Sequence, residues 1–198
     1  DTGMYTVSDF AADLNAFMEA KDIEKADMVG HSLGSMTMQA FLLLYPERCN
    51  SVTLVASTPV YPDALGTYYY EYTLGLEDDA HPDDEFMAAW YTNPNPVDEE
   101  FLGYVMQESQ QLSARSWQAI SAGAAVEDLR PFYPFMDDSI PTLILHGSLD
   151  GFFGDEAQDE LQKHLPFAQY KVYNGIGHNI QYEIPEQLAK DVLAFINV

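Results

Sequence analysis

Asp27-Met28-Val29-Gly30-His31-Ser32-Leu33-Gly34-Ser35-Met36 is the stretch whose reading decides the fold. An apolar run of strand length enters Gly30-His31-Ser32-Leu33-Gly34, a G-x-S-x-G pentapeptide, and an apolar segment of helical length leaves it. A serine nucleophile needs such a setting. Its hydroxyl must stand clear of the sheet at a sharp strand-to-helix turn in strained backbone geometry. Small residues two before and two after it let strand and helix approach closely. The helix that follows then points its N-terminal N–H groups at a developing oxyanion. Taken alone, the pentapeptide also matches many glycine-flanked turns, so the remainder of the chain has to decide.

Before it, Thr6 suits an N-cap with Asp9 three residues on. Phe10, Leu14, Phe17 and Met18 form one apolar helical stripe that ends at Lys21-Asp22. A strand from Ala26 to Gly30 follows. After the pentapeptide, Leu33 to Tyr45 is apolar nearly all round, as in a helix packed deep against a sheet, and Pro46 stops it. Ser51 to Ala56 is a β-branched run suited to a strand buried on both faces. Helix, strand, helix, strand predicts an α/β fold with a parallel sheet and right-handed crossovers.

The character changes over residues 59–131. Tyr68-Tyr69-Tyr70, Trp90-Tyr91, Phe101, Tyr104 and Trp117 make it aromatic, and acidic clusters punctuate it. Helices are expected at Asp84–Tyr91, Asp98–Leu112 and Ala114–Leu129, and no strand of sheet length stands out. This segment is expected to be a helical insertion whose aromatics mostly fill its own core, a minority lining a cavity. Sheet pattern resumes at Pro141 to Gly147, followed by a charged amphipathic helix from Gly154 to Leu165, a strand from Ala168 to Tyr173 and a closing helix from Pro185 to Val198.

A serine hydroxyl is a poor nucleophile at neutral pH and needs a base, which in turn needs an orienting acid. Ser148-Leu149-Asp150 follows the strand ending at Gly147, and Asn174-Gly175-Ile176-Gly177-His178 follows the last strand. Parallel strands share one carboxyl edge, so Ser32, Asp150 and His178 can converge there. Their chain order, Ser, Asp, His, is that of an α/β-hydrolase.

The chain from residue 4 onward resembles the lidded, esterase and lipase-like α/β-hydrolases. Gly30-His31-Ser32-Leu33-Gly34 is similar to their nucleophile elbow and Leu145-His146-Gly147-Ser148-Leu149-Asp150 to their acid-bearing strand end. Gly175-Ile176-Gly177-His178 with Glu183-Ile184-Pro185-Glu186 is similar to their histidine loop and last helix. The resemblance implies a parallel-sheet core from residues 1–58 and 132–198, with 59–131 as a helical cap. It implies Ser32 as nucleophile, His178 as general base, Asp150 as orienter and the Leu33 backbone N–H as an oxyanion donor, with no metal and no organic cofactor. Ester cleavage through an acyl-enzyme is the implied reaction, and carbon–carbon bond hydrolysis or perhydrolysis would use the same triad. A non-catalytic receptor built on the capped cavity is the alternative from another class.

Among rivals, His31 is expected to be packed or hydrogen-bonded, His146 buried in its strand, and His81 and His164 exposed. Asp63 is a weaker candidate for the acid, and Asp155 belongs near a helix start. The family's sheet has further strands before the serine-bearing one, and a loop among them donates a second oxyanion N–H. Only one helix precedes the elbow here, so a further N-terminal hydrolase segment is the expected partner. The opening Asp1-Thr2-Gly3 fits an incomplete or processed chain, and the oligomeric state stays open.

Composition narrows the partners. Thirty-two acids against eight bases give a net charge of −24 and a pI near 4.1. Such a surface repels nucleic acid and anionic membranes. It disfavours anionic substrates, while the aromatic segment suits a small, neutral, apolar ester. No apolar run reaches 18 residues, so no membrane span is expected. No signal peptide is visible, and the expected location is cytoplasmic. The single cysteine, Cys49, is expected to be a packed thiol. Both a halophilic and an acidic mesophilic origin fit this charge. Self-repulsion is screened at molar salt, where the Debye length is about 3 Å. A halophilic protein should therefore melt higher in molar KCl than at low salt; a melting temperature that does not rise would exclude that origin.

Overall fold

The computed structural model describes residues 5–61 and 63–197, with the backbone alone for 63–68. The first half alternates as expected: α1 (Val7–Ala20), β1 (Ala26–His31), α2 (Leu33–Leu44) and β2 (Cys49–Val55). Thr6 and Asp9 form a reciprocal capping box at the start of α1, each side chain taking the other's backbone N–H at 3.1 Å. Pro46 opens a 3-10 turn over Pro46–Arg48, which delivers the chain straight into β2. That strand therefore starts at Cys49 rather than Ser51, with Cys49 in register with Ala26 of β1.

The next segment holds α3 (Asp63–Leu74), α4 (Asp84–Trp90), α5 (Glu99–Gln110) and α6 (Ala114–Val126), then a 3-10 turn over Arg130–Phe135. Asp83 and Asp98 cap α4 and α5, accepting the N–H of Phe86 and Phe101 at 2.8 Å. Helix α3 was not anticipated, because its apolar residues run together as Tyr68-Tyr69-Tyr70 instead of spacing along one face. Helix α6 stops three residues short of the expected Leu129. There Val60 and Asp128 pair as an antiparallel bridge and the Leu129 N–H turns to the Pro59 carbonyl at 3.2 Å. The segment thus leaves and returns at one closed stem.

Beyond it come β3 (Thr142–Gly147), α7 (Asp155–His164), β4 (Gln169–Tyr173), α8 (Ile180–Glu183) and α9 (Pro185–Ile196). The four strands lie in the order β1-β2-β3-β4, every neighbouring pair parallel. One core joins α1, α2 and α7 to Met28, Val52, Leu54 and Ile144 on one face of the sheet. The other face carries Val55, Leu143, Leu145 and Tyr173, covered by Ile180 and by Leu188, Val192 and Phe195 of α9. Strand β1 is an edge. Among the described residues its outer side pairs with nothing, and Val29 is 51% exposed. Cys49 is 1% exposed, and burial pushes its thiol pKa up to about 11, so it is a packed, unreactive group.

The two glycines of the pentapeptide are not equivalent. A Cβ on Gly30 would lie 2.3 Å from the Gly34 carbonyl oxygen and 2.6 Å from the Met38 side chain, whereas one on Gly34 meets nothing within 4 Å. Only the first is sterically required for strand and helix to approach, contrary to the expectation that both are. Gly30→Ala should destabilise the protein by roughly 1–3 kcal/mol or prevent folding. Gly34→Ala should be neutral or stabilising by up to about 1 kcal/mol, through helix propensity. Chemical denaturation of the two variants checks this; equal losses would contradict it.

Candidate active site

Each expected site residue sits just past the carboxyl end of a strand. Ser32 follows β1 with φ 53° and ψ −123°, a positive-φ conformation outside the common backbone regions, in line with the strained turn expected there. Asp150 follows β3, and His178 lies in the loop after β4. The two loops are packed on each other: the Leu149 N–H reaches the Ile176 carbonyl at 2.8 Å, and the Gly175 N–H reaches Ser148 Oγ at 2.8 Å. A side chain on Gly147 would collide with the carbonyls of Ile176 and Gly177.

The result is one hydrogen-bonded line. His178 Nδ1 lies 2.9 and 2.8 Å from the two Asp150 carboxylate oxygens, and His178 Nε2 lies 2.8 Å from Ser32 Oγ. A carboxylate only accepts, so Nδ1 carries the proton and Nε2 is the acceptor for the serine hydroxyl. Asp150 also accepts the N–H groups of Phe152 and Phe153 at 2.8 and 2.9 Å. Burial acts to raise its pKa, but the hydrogen bond and charge of His178 and these two amides outweigh it and hold the carboxyl below its ordinary value. Leu33 is the first residue of α2, where a backbone N–H has no acceptor inside the helix, and it lines the cavity beside Ser32.

That cavity is about 180 Å³, walled by Tyr61, Trp90, Tyr91, Phe152, Phe153 and Tyr182 around Ser32 and His178. The insertion aromatics follow the expectation only in part, since two of those expected to fill its core lie at the surface. Tyr69, Phe86 and Trp117 are buried against one another, with Trp90 against Trp117 at 5.1 Å, while Phe101 and Tyr104 stay exposed.

Further residues close around the triad, among them His31, which is hydrogen-bonded as expected. His31 Nε2 donates to the His178 carbonyl at 2.9 Å, and Gln181 Nε2 donates to His31 Nδ1 at 3.2 Å, fixing a neutral tautomer. Glu183 accepts the Gly177 N–H at 2.9 Å, and Asn179 donates to Asn93 of the insertion at 3.0 Å. Glu183 stood in a recognisable motif, but nothing local in the sequence pointed to Gln181 or Asn93.

The rivals fall into place. His146 is 2% exposed in β3, and neither ring nitrogen has a hydrogen-bond partner among the described residues. His81 is exposed. His164 departs from expectation: it is stacked on Tyr133, centroids 4.9 Å apart, because α7 packs over the Arg130–Phe135 turn. Asp155 opens α7 with its side chain 97% exposed. Asp63 opens α3, and its side chain lies outside the described residues. Among the described residues no helix is long and apolar enough to cross a membrane, and no group of three or more His, Cys, Asp or Glu side chains is placed to hold a metal ion.

Burial, reinforced by the charge of His178, lowers the His31 pKa from 6.5 to about 4. Below pH 6.5 the unfolded chain therefore takes up a proton that the folded chain refuses, so this site costs stability as pH falls from 6.5 towards 4. The loss is of the order of 1.4 kcal/mol per pH unit at most. His31→Gln should flatten the fall in unfolding free energy between pH 7 and 4.5, measured by urea denaturation. An unchanged slope would show that His31 does not carry it.

The model of the alpha/beta hydrolase fold matches residues 2–185. An uncharacterized carboxylesterase of Bacillus subtilis is 26% identical over 211 residues, covering 97% of this chain and 63% of that protein. A non-heme chloroperoxidase of Streptomyces lividans is 28% identical over 214 residues, covering 94% of this chain and 72% of that protein. Among solved structures, an esterase from Exiguobacterium antarcticum superposes with a TM-score of 0.85 at 16% identity, over 98% of this chain and 75% of that one. A match that runs through the elbow, the four-stranded sheet and the insertion alike means that this chain belongs to the alpha/beta hydrolase fold family.

Proposed function

We propose that the protein is a serine hydrolase that cleaves small, neutral carboxylic esters through an acyl-enzyme. The observation that carries this reading is the continuous line Asp150–His178–Ser32 opening into an aromatic cavity, with both ring nitrogens of His178 within 2.9 Å of their partners.

In the first half-reaction His178 Nε2 takes the Ser32 proton while Oγ attacks the ester carbonyl. The tetrahedral oxyanion accepts the Leu33 N–H at the positive end of α2. Collapse expels the alcohol, which leaves with the proton held on His178. In the second half, His178 deprotonates a water that attacks the acyl-enzyme. The acid departs and the proton returns to Ser32. Asp150 stays ionised throughout and holds the imidazole in the productive tautomer. The cavity wall is aromatic and the chain as a whole carries a net charge of −24, which favours uncharged over anionic substrates.

The outer edge of β1, unpaired among the described residues, and the exposed Val29 support a further element of this reading. A polypeptide segment pairs along that edge, and a loop of it supplies the second oxyanion N–H. Without that donor the rate is expected to be lower by roughly 10²–10³, so activity belongs to the protein with this segment in place.

A fluorophosphonate probe should label Ser32, and Ser32→Ala should abolish both labelling and turnover of p-nitrophenyl acetate. Asp150→Asn should preserve the fold but lower kcat by roughly 10⁴, because the amide favours the wrong imidazole tautomer. Unchanged turnover in Ser32→Ala would refute the mechanism and leave the receptor reading.

A further inference from the structure

The cavity at the triad has a second, larger neighbour. An open cleft of about 600 Å³ is lined by Thr58, Pro59, Val60 and Phe152 together with Arg130 and the first turns of α7. The triad cavity, at about 180 Å³, is smaller than the roughly 300–1,000 Å³ typical of sites for drug-sized ligands. Among the described residues, Phe152 is the only one that lines both. Its ring sits 4.7 Å from the His178 ring and 5.8 Å from that of Trp90, and stacks on Tyr69 at 6.1 Å.

We infer that Phe152 is the specificity-determining wall of the active site, restricting it to short acyl groups, and that the cleft beyond is a latent subsite for the distal part of a longer, uncharged acyl chain. This rests on the serine-hydrolase reading above.

The wall is placed with unusual firmness. The Phe152 and Phe153 N–H groups are anchored on the Asp150 carboxylate, at 2.8 and 2.9 Å, so the backbone cannot retreat without disturbing the acid of the triad. Room for a longer chain must come from the Phe152 side chain. Truncating that side chain keeps the amide, and so keeps the anchor on Asp150. The cleft's chemistry fixes what enters. Pro59, Val60 and Ala157 offer apolar surface, whereas Asp155, Glu156 and Glu160 outnumber Arg130. Arg130 is itself engaged with Asp128 at 2.7 Å and Glu160 at 3.7 Å. Among the described residues an anionic tail finds no free cation there and meets three carboxylates, so the chain that fits is uncharged.

The test is a kcat/KM profile on p-nitrophenyl acetate, butyrate, octanoate and laurate, measured on the complete protein. The unaltered enzyme should fall steeply beyond butyrate. Phe152→Ala should raise the octanoate-to-acetate ratio at least about tenfold, since one methylene in an apolar pocket is worth roughly 10–200-fold. Phe152→Leu, which keeps more of the packing, should give a smaller rise and carries the test if the alanine variant does not fold. Ala157→Trp added to Phe152→Ala should cancel the gain by filling the cleft. Three results would overturn the inference: equal turnover of octanoate and acetate by the unaltered enzyme, a common fall for all esters in both Phe152 variants, or a gain that survives Ala157→Trp. Unchanged ratios in an active enzyme sink this inference alone, whereas no ester turnover and no labelling of Ser32 sink the hydrolase reading with it.

Discussion

The backbone of Ser32 is held where a residue with a side chain does not rest willingly. A non-glycine residue in a sparsely populated region of backbone space costs of the order of 1–3 kcal/mol and persists only where its surroundings over-determine it. Here they do. The Ser32 N–H is bonded to the Val55 carbonyl at the end of β2, at 3.0 Å. Its carbonyl accepts the N–H groups of Ser35 and Met36 and the Ser35 hydroxyl, the last at 2.6 Å. Ser35 Oγ is also 2.6 Å from Ser57 Oγ, which accepts from Gln39 of α2, while Gln158 of α7 donates to the Ser57 carbonyl. Tyr133 completes the set by donating to Gln39. Strain at one serine is thus spread over α2, the end of β2, the Arg130–Phe135 turn and α7, all of it buried polar structure whose bonds are strong because water is excluded.

This network explains the division between what the sequence disclosed and what it did not. The alternation of elements, the capping box at Thr6 and Asp9, the stop at Pro46 and the start at Pro185 follow from local propensity and short-range spacing. All of these could be read directly. Ser32, Asp150 and His178 were legible because strand ends share an edge, so three distant positions reduce to one topological statement. The supporting residues have no such shortcut. Ser35, Gln39, Ser57 and Gln158 look like ordinary polar residues on a helix or after a strand, and the bonds that join Ser57 to Gln39 and to Gln158 span 18 and 101 residues. Nor does His31 declare its role, which depends on the carbonyl of a residue 147 positions on. Helix α3 escaped for the opposite reason: its tyrosines are read from composition as core aromatics, but consecutive rings carry no helical period. Gly34 shows the converse error. A motif residue invites a steric explanation, and the space around it is open.

The insertion is not merely laid over the site. Asn95 donates to the Gly175 carbonyl at 2.6 Å and also to Glu183, whose other oxygen accepts the Gly177 N–H. Pro94 is packed so closely on Gly177 that a Cβ there would come within 2.5 Å of its ring. Asn93 holds Asn179 on the far side of His178. The residues 93–95 therefore touch the histidine loop both before and after the base, and the same stretch begins where Trp90 and Tyr91 wall the cavity. The aromatic wall and the His178 imidazole are thus tied together through one set of contacts. A hydrogen bond weakens steeply with distance and angle, so a shift of residues 93–95 by even a fraction of an ångström is felt at the bond between His178 Nε2 and Ser32 Oγ. On the hydrolase reading proposed above, binding energy gained against the aromatic wall is spent on aligning His178 with Ser32, where it would raise the rate rather than only tighten the complex.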